Sequence, residues 1–522
     1  MFNPIMEIDA MQYASISKEL LRGENILHFF DNGKPYLDKP PLIFWVTALF
    51  FKFFGSSNFV YRVPSVLCML ILIYSTYKFS RLYYSKSVSQ IAAIILSSSQ
   101  ALFIMNADVR TDIYMMAPMM VAIWQLSEYF IYHRWKNLLL GWIGISLAMM
   151  GKGPLGFVIP ICVIILDLIY KRKIRDLFNK QILYGLLICL LCLLPMSYGL
   201  YTQFGSYGLE FFYWKQSFGR ITGDSSWSNT TGPFYLFNVF LYAFLPWTFI
   251  SLFAIFDHSR NIIKNRNDNE KKEIVSLFGF IIPMVMLSAS NYKLPHYIYC
   301  VIPFASILTA VKIEEWIHNK RYYRILHFIQ IPLIILMVLL IFGLIFYVFE
   351  IEVYILIIPI FIIVFFIKIA TKKRKSKITR LLIPSVLASI LCNYGFNLGI
   401  MKPLLEFQSQ TEAAYFIQSN NYEALELYYY NEDERAKSRS CNFYLNRNIK
   451  YIDYNYIEDK SSLIPALIFT NEDGLKELSR FKIDFEILKE FDHIRVSKLN
   501  KTFINPVTRH KMIQKKYLLK FS

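Results

Sequence analysis

A polar stretch close to the first residue combines acids, bases and tyrosines beside a very apolar chain. Residues 7–41 read EIDAMQYASISKELLRGENILHFFDNGKPYLDKPP, with Asp9 just before a helical run and Lys39 near the end. A carboxylate can accept a hydroxyl proton, and a cation can stabilise charge that develops on a phosphate. Hydrophobic burial does not explain the stretch, so it is either a solvated leader or a reaction site along a membrane surface. In a third interpretation Asp9 only caps the helix that begins at Ala10.

The elements that must position these residues are apolar segments of membrane-spanning length. The chain has 522 residues, of which 55% are hydrophobic, and this is too apolar for an ordinary soluble domain. A segment of roughly 20 apolar residues crosses a bilayer of about 30 Å. Twelve spans are predicted, at residues 64–80, 87–105, 112–131, 137–151, 154–170, 181–202, 233–256, 274–290, 294–311, 325–349, 352–370 and 378–400. Residues 42–54 are apolar but short and predict a helix in the membrane interface.

Lysine and arginine are distributed unevenly between the loops that join these spans. Alternate loops, beginning with residues 81–86, contain 24 lysines and arginines, whereas the opposite set contains 5. Because cytoplasmic loops are enriched in these residues, the first set is predicted to be cytoplasmic. The net charge of +18 therefore indicates membrane orientation and does not indicate nucleic-acid binding. Residues 1–63, loop 203–232 and everything after residue 401 are then predicted to be periplasmic in a bacterium. No span precedes residues 1–63 here, which predicts a further helix upstream of Met1.

The composition changes after residue 401, where Tyr, Asn, Glu and Lys become more frequent. Strands are predicted at Leu425–Tyr430, Lys450–Asp453, Ala466–Thr470 and Ile483–Leu488, with helices around Gln410–Ser419 and Gly474–Phe481. The basic tail Arg509–Lys520 is predicted to be a solvated face or a contact with anionic lipid. The predicted fold is a polytopic α-helical membrane protein of about twelve transmembrane helices with a C-terminal soluble α/β domain. Its parts are a periplasmic loop with interfacial helices (1–63), a membrane domain (64–401) and the α/β domain (402–522).

Polar residues that burial does not explain fall on one face of this topology. They map to the outer side of the membrane: Asp9, Lys39, Arg62, Asp108, Arg110, Asp112, Lys152, Lys215, Arg220, Lys293, His296 and Tyr297. Each one alone can be read as a snorkelling side chain or a local ion pair. Together they combine cations and carboxylates, which suit a phosphate leaving group and a hydroxyl nucleophile.

Ordered motifs across residues 7–303 resemble one enzyme family. They are EIDAMQYASIS, YLDKPPLIFW and YRVPS, followed by DVRTDIYMMA, GKGPLG, FFYWKQSFGRITG, FLPW and NYKLPHYIYCVIP. This order is similar to that of the polyprenyl-phosphate-sugar-dependent type C glycosyltransferases, which include the lipid A aminoarabinose transferases and the protein O-mannosyltransferases. The resemblance is closest to the aminoarabinose-transferase-like branch. It implies thirteen membrane helices with the first acidic motif just after the first helix, so this chain looks like the family without its opening helix.

The resemblance also implies roles for individual residues. Asp9 resembles the catalytic acid of the first loop, and Asp112 resembles the second acidic residue. The donor phosphate is expected to bind Lys39, Arg220 and Tyr297, with Lys152 and Lys293 as further candidates. The family's usual Asp-Glu pair is Asp9-Ala10 here, so no adjacent second acid is available. Some relatives bind a divalent metal near this loop, but Asp38 and Gln216 make a poor ligand set, so no metal or other cofactor is assigned.

The leading function implied by these residues is transfer of a sugar from a polyprenyl (undecaprenyl) phosphate to an extracytoplasmic acceptor. The acceptor can be lipid A, another glycan or a protein, and the expected location is a bacterial inner membrane. Membrane lipids are expected partners and nucleic acid is not. One alternative is a lipid-linked sugar flippase or transporter, which should have polar residues near the midplane and access from both sides. Another is a non-catalytic scaffold, which should tolerate loss of Asp9 and Lys39.

Overall fold

The computed structural model describes residues 2–216, 219, 229, 231–264, 273–349, 357, 359–361, 364, 368, 376–432, 439–458, 465–480 and 484–521. Most of this chain is helical before residue 406, and a β-sheet follows. The longer helices are Asp9–Leu20, Leu42–Phe54, Asn58–Tyr83, Lys86–Ser97, Gln100–Ala107, Thr111–Tyr132, Trp135–Lys152, Leu155–Tyr170, Lys180–Phe204, Tyr235–Ala243, Thr248–Lys264, Val275–Ser288, Ile302–Ile317, Lys320–Phe349, Lys377–Gly395 and Ser409–Ser419.

Five of these helical segments are long and apolar enough to cross a membrane, counted over the described residues. They are Asn58–Tyr83, Lys180–Phe204, Pro295–Ile317, Lys320–Phe349 and Lys377–Leu405, and the pair Lys86–Ser97 and Gln100–Ala107 makes a sixth span if it is counted with its 45° bend. The predicted span 233–256 is divided into two helices on either side of Pro246. The predicted span 352–370 lies largely outside the described residues. The count of twelve spans therefore stays a prediction.

The polar stretch at the start folds into two helices joined by a hairpin. Helix Asp9–Leu20 buries a face that includes Met11 and Tyr13. Strands β1 (Phe30–Asp31) and β2 (Lys34–Pro35) pair antiparallel. The two residues between them, Asn32 and Gly33, have φ values of 54° and 73°. A two-residue turn with positive φ at both positions matches the twist of a hairpin and favours Asn-Gly.

The hairpin is attached to the first helix and sets the position of Lys39. The Glu19 carboxylate accepts hydrogen bonds from the N–H groups of Asn32 (3.0 Å) and Gly33 (2.8 Å). Helix Leu42–Phe54 begins directly after Pro41, where the fixed φ of proline is suited to a helix start. Lys39 is therefore held between a hairpin and a helix start. The helix predicted at residues 42–54 is confirmed.

Glycines bring two neighbouring helices into close contact beside Asp112. A Cβ atom at Gly151 would lie 2.5 Å from the carbonyl oxygen of Tyr114, and Gly153 has a φ of 80°. Only glycine permits this approach and this backbone conformation without strain. The C-terminal end of helix Trp135–Lys152 consequently lies against the start of helix Thr111–Tyr132. This contact places Lys152 next to Asp112.

The chain after residue 425 forms a five-stranded mixed sheet. The strands are β3 (Glu426–Tyr430), β4 (Lys450–Ile452), β5 (Ala466–Asn471), β6 (Phe485–His493) and β7 (Gln514–Phe521), in the spatial order β4-β3-β5-β7-β6. Strand β3 runs parallel to β4 and β5, whereas β7 runs antiparallel to β5 and β6.

Strand β7 corrects the prediction for the basic tail. Residues 509–520 were expected to form a solvated face or a lipid contact, but Leu518 and Leu519 are fully buried between β5 and β6. The sheet has two faces, so apolar side chains on both sides of the strand are buried in a core. Of its lysines, Lys515 is exposed, whereas Lys516 is buried and pairs with Glu432. The predicted strands at 425–430, 450–453 and 466–470 are confirmed, and the fourth is displaced towards His493.

The region after residue 401 is joined to the first loop by buried polar contacts. Arg439 donates two hydrogen bonds to the Asp31 carboxylate, at 2.9 and 2.7 Å, and both side chains are almost fully buried. The Ser440 hydroxyl donates to the Glu7 carboxylate at 2.6 Å. A two-pronged pair of this kind fixes orientation as well as distance. The hairpin that precedes Lys39 is therefore held by the sheet region.

We expect Arg439→Lys to lower the free energy of unfolding by about 1.5–3 kcal/mol, the range for one hydrogen bond to a charged group. Lysine retains the charge but cannot make the planar two-pronged contact with Asp31. Thermal unfolding of the detergent-solubilised protein measures the change. Lys476→Met is the control, because the Lys476–Glu472 pair lies on the surface and its loss should leave the midpoint unchanged. An unchanged midpoint in Arg439→Lys would contradict the expected role of this pair.

Candidate active site

One cavity collects five of the polar residues that the sequence placed on the outer face, and four of these had been assigned a catalytic or phosphate-binding role. Its polar lining includes Asp9, Tyr13, Lys39, Lys152, Gln216, His296 and Tyr297. These side chains come from five separate parts of the chain, and apolar residues such as Leu155 and Leu287 complete the wall. We refer to this space as the lysine cavity. A mostly apolar wall with a few convergent charges is typical of a ligand site.

Lys152 is the most constrained cation of the lysine cavity. Its ammonium group forms an ion pair with Oδ1 of Asp112 and lies 4.2 Å from the centre of the Tyr297 ring. Asp112 itself is 1% exposed and lies behind Lys152 instead of on the cavity wall. The sequence predicted Asp112 as a second catalytic acid, but its position suits a residue that orients Lys152. Its Oδ2 atom, 3.8 Å from His296 Nε2, has no hydrogen bond within the described chain.

Asp9 belongs to a second charged group that is centred on Arg110. The Arg110 guanidinium pairs with Oδ2 of Asp9 and donates through Nε to Asp108 at 2.7 Å. Burial raises the pKa of Asp108, and the adjacent Arg110 opposes that shift. Oδ1 of Asp9 accepts no hydrogen bond from the described residues. The Asp9 side chain is 42% exposed, so this oxygen can reach a ligand.

The interpretation of Asp9 as a helix cap is wrong. Asp9 is already the first residue of its helix, and the capping position is Ile8, which makes no side-chain hydrogen bond. A capping carboxylate would instead accept a backbone N–H from the first turn. The Asp9 carboxylate is engaged by Arg110, which lies 101 positions further along the chain.

Lys39 lies beside the two residues that were considered as metal ligands. Its ammonium group pairs with the Asp38 carboxylate, and the Gln216 side-chain amide donates to the Asp38 carbonyl oxygen. No group of three His, Cys, Asp or Glu residues with metal-binding geometry occurs in the described part of the chain. Divalent cations such as Mg²⁺ and Ca²⁺ need several oxygen ligands. With one carboxylate already paired to a lysine, this donor set does not fit a metal.

One predicted phosphate ligand, Lys293, is not brought to the lysine cavity, and another lies outside the described residues. Lys293 is buried, its ammonium group donates to the carbonyl oxygen of Thr231 at 3.3 Å, and it does not line the cavity. Its role is to hold the connection near residues 229–231, so we do not retain it as a phosphate ligand. Arg220 lies outside the described residues.

Other cations on the predicted outer face have structural partners. Arg62 is 4% exposed and donates to the carbonyl oxygens of Asn3 (2.8 Å) and Pro4 (3.0 Å), which fastens the start of the chain. Lys215 pairs with Glu210 at 3.0 Å near the surface. His296 lines the lysine cavity and Arg110 pairs with Asp9 beside it, although no role was assigned to either residue from the sequence. The alternating charges of Asp108, Arg110 and Asp112 in apolar surroundings were the available signal.

Known proteins of similar sequence are glycosyltransferases by name. Residues 38–198 match the family described as dolichyl-phosphate-mannose-protein mannosyltransferase. An undecaprenyl phosphate-alpha-4-amino-4-deoxy-L-arabinose arabinosyl transferase of Pseudomonas aeruginosa is 26% identical over 59% of this chain and 55% of its own length. A second arabinosyl transferase of this name, from Proteus mirabilis, is 26% identical over 60% of this chain and 56% of its own length. The chain is therefore similar to a mannosyltransferase family over residues 38–198 and to arabinosyl transferases over about 60% of its length.

Solved structures with a similar fold cover nearly the whole chain. Crystal structures of ArnT from Cupriavidus metallidurans, in the apo state and bound to undecaprenyl phosphate, match with a TM-score of 0.74. They cover 99% of this chain and 94% of their own, at 16% and 15% identity. At that identity the likeness shows the fold alone. The match to the curated relatives spans only about half of their length, so activity and substrates are inferred below from the site.

Proposed function

We propose that this protein is a type C glycosyltransferase that transfers a sugar from a polyprenyl phosphate to an acceptor outside the cytoplasm. The observation that carries this proposal is the lysine cavity, which combines the carboxylate of Asp9 with the ammonium groups of Lys39 and Lys152. The cations suit a phosphate leaving group, and the carboxylate suits an incoming hydroxyl. The relatives named for an undecaprenyl phosphate sugar support undecaprenyl phosphate as the carrier.

Lys39, Lys152 and Tyr297 form the proposed site for the donor phosphate, together with Arg220 from beyond the described residues. An ammonium group has three donor hydrogens, so Lys152 can contact a phosphate while it remains paired with Asp112. The Tyr297 ring beneath it limits where the ammonium can move. A cation held in this way stabilises charge without reorganising during the reaction.

The proposed reaction replaces one bond at the anomeric carbon of the sugar by another. An acceptor oxygen attacks this carbon while the bond to the phosphate oxygen breaks. The electron pair of the broken bond stays on that oxygen, which leaves as polyprenyl phosphate with one additional negative charge. Attack opposite the leaving group inverts the configuration. The described lysines offset the charge that appears on the phosphate.

Asp9 has one of two roles in this reaction, and the acceptor decides which. If a hydroxyl attacks, its proton must leave, and the open Oδ1 of Asp9 is the base that receives it. If an acceptor phosphate attacks, its oxygen is already anionic and no proton is removed. Asp9 then acts by holding Arg110 and the acceptor in place.

The proposed location is the bacterial inner membrane, with the lysine cavity and the region after residue 401 in the periplasm. The uneven distribution of lysine and arginine between loops supports this orientation. The proposed acceptors are lipid A, another glycan or a protein, and the surrounding lipids are partners of the apolar helices.

Sealed membrane vesicles test activity and orientation together. Right-side-out vesicles that contain the protein are expected to consume undecaprenyl-phosphate-linked aminoarabinose supplied in the outer leaflet and to glycosylate lipid A there. Inverted vesicles with the same external substrates should be inactive until they are opened with detergent. Mass spectrometry of both lipids gives the readout. No donor consumption in opened vesicles would contradict the proposed activity, and activity confined to sealed inverted vesicles would contradict the orientation.

A further inference from the structure

His296 is a mostly buried side chain beside the reacting centre, and the reaction described above gives it no role. Its side chain is 17% exposed and makes no hydrogen bond with another residue of the described chain. It lines the lysine cavity and also an adjoining cavity of about 530 Å³. Among the described residues, those that line both cavities are Asp9, Leu294 and His296. His296 therefore lies at the junction of the two spaces, as Asp9 does.

The size of the lysine cavity limits how much of a sugar donor it can hold. Its volume is about 80 Å³, and a single water molecule needs about 10–15 Å³. This space suits a phosphate but is too small for a phosphate that carries a sugar. Because the sugar is bonded directly to the phosphate, it must extend from the lysine cavity through the junction with the adjoining cavity.

The residue that follows His296 fixes its distance from the proposed phosphate ligands. Both residues belong to the 3₁₀ helix Pro295–Val301, and the centres of the His296 and Tyr297 rings are 5.1 Å apart. The centre of the Tyr297 ring lies 4.2 Å from the Lys152 ammonium group. A sugar whose phosphate is held at Lys152 and whose anomeric carbon is directed towards Asp9 consequently passes the His296 ring.

Asp112 is placed to orient the His296 ring. Its Oδ2 atom is buried, has no hydrogen-bond partner among the described residues, and lies 3.8 Å from His296 Nε2. Buried polar atoms nearly always have a partner, and a shift of the ring by about 1 Å brings the two atoms to hydrogen-bond distance. When one nitrogen of a neutral imidazole donates, the other is an acceptor. A ring that donates through Nε2 to Asp112 therefore presents Nδ1 as an acceptor for a ligand.

We propose that His296 is a specificity-determining residue that binds the transferred sugar. Nε2 donates to Asp112, and Nδ1 accepts a hydrogen bond from a hydroxyl group of the sugar at the junction. Asp112 thus orients Lys152 through one oxygen and His296 through the other, which links recognition of the phosphate to recognition of the sugar. This inference rests on the proposed transferase function, because it assigns the sugar of the donor to the same site.

Binding to the purified full-length protein tests the proposal with two lipids that differ only in the sugar. The probes are undecaprenyl-phosphate-linked aminoarabinose and undecaprenyl phosphate. His296→Leu removes both ring nitrogens and is expected to weaken binding of the sugar-linked lipid at least about fivefold, since a buried polar group without its partner costs that much or more. Its affinity for undecaprenyl phosphate should be unchanged, which also shows that the variant is folded.

His296→Gln is the conservative variant, because a glutamine amide can donate to Asp112 and accept from the sugar at the same time. It is expected to restore most of the affinity that His296→Leu loses. His318→Leu is the matched control, since His318 is exposed directly after the helix Ile302–Ile317 and lines neither cavity. It should bind both lipids as the wild type does. If His296→Leu does not fold, His296→Ala supplies the same comparison.

Three outcomes would overturn the proposal: equal losses for the two lipids in His296→Leu, unchanged binding of both, and a loss in His296→Gln as large as that in His296→Leu. Equal losses would mean that His296 acts only through Lys152.

The transferase function has a separate readout in the same preparation, which is consumption of the sugar-linked lipid in the presence of lipid A. A sugar-dependent loss of affinity in His296→Leu, without any consumption by the wild type, would leave the role of His296 standing and overturn the function. Consumption by His296→Leu with an unchanged KM for the sugar-linked lipid would do the reverse.

Discussion

Asp9→Asn is expected to leave the protein at its normal level in the membrane and to lower turnover at least about a hundredfold with a hydroxyl acceptor. Asparagine has the shape of aspartate but cannot accept a proton at neutral pH. Loss of a positioned base typically costs about 10²–10⁴ in rate, or about 2.7–5.4 kcal/mol of barrier. The side chain makes no capping hydrogen bond, so the helix at this position should not be weakened.

The acceptor dependence of this variant distinguishes the two roles of Asp9. With a hydroxyl acceptor, kcat should fall steeply because proton transfer is lost. With a phosphate as the attacking group, only the contact to Arg110 is weakened and the fall should be smaller. Glu24→Gln is a suitable control, since Glu24 is an exposed carboxylate of the same loop. Near-normal turnover of Asp9→Asn with every acceptor would exclude Asp9 from the chemistry.

The sequence alone was sufficient to predict the helices and strands around the site. The apolar helix at 42–54, the helical run after Asp9 and three of the C-terminal strands follow from periodicity and turn residues, and the structure contains them. Each of these is marked by a pattern of residues that are close in sequence, although the strands themselves pair with distant ones. The resemblance to a glycosyltransferase family was also recognisable, because the shared motifs are short, ordered and placed at polar positions in apolar surroundings.

The contacts that assemble the site could not be predicted in the same way. Asp9 meets Arg110 across 101 positions, and Asp112 meets Lys152 across 40. No repeating sequence pattern marks either ion pair. The sequence could therefore place these residues on one side of the membrane but could not predict which acid pairs with which base. Lys293 is the opposite case. Its charge and its predicted position on the outer side of the membrane suggested a phosphate ligand, yet its ammonium group donates to the Thr231 carbonyl oxygen.

Strand β7 was missed for a related reason. Gln514–Phe521 reads QKKYLLKF, and its three lysines made it look like part of a basic tail. Both edges of this strand are hydrogen-bonded because it lies between β5 and β6, and its two faces are buried in separate apolar clusters that contain Leu518 and Leu519. Tertiary pairing determines this environment and composition does not. The sequence also did not indicate that Arg495 and Lys498 line one cavity with Asp9. This arrangement depends on how the sheet region packs against the first loop.

The most direct test of the central claim is the affinity of the lysine cavity for undecaprenyl phosphate in Lys152→Met. Loss of a charge-assisted hydrogen bond of about 1.5–3 kcal/mol predicts a Kd roughly 10- to 150-fold weaker. Lost stabilisation of the leaving phosphate predicts a fall of about 10²–10³ in kcat, the effect of removing one donor from a charge-stabilising site.

Lys171→Met provides an unusually close control for this measurement. Lys171 pairs with the buried Asp167 at 2.6 Å and lies 4.7 Å from the centre of the Tyr83 ring, so its surroundings resemble those of Lys152, but it does not line the lysine cavity. The double variant Lys152→Met/Asp112→Asn guards against misfolding, because it leaves no unpaired buried carboxylate. We expect weak binding of undecaprenyl phosphate in both Lys152 variants and normal binding in Lys171→Met. Wild-type affinity and turnover in both Lys152 variants would contradict the assignment of this cavity to the donor phosphate.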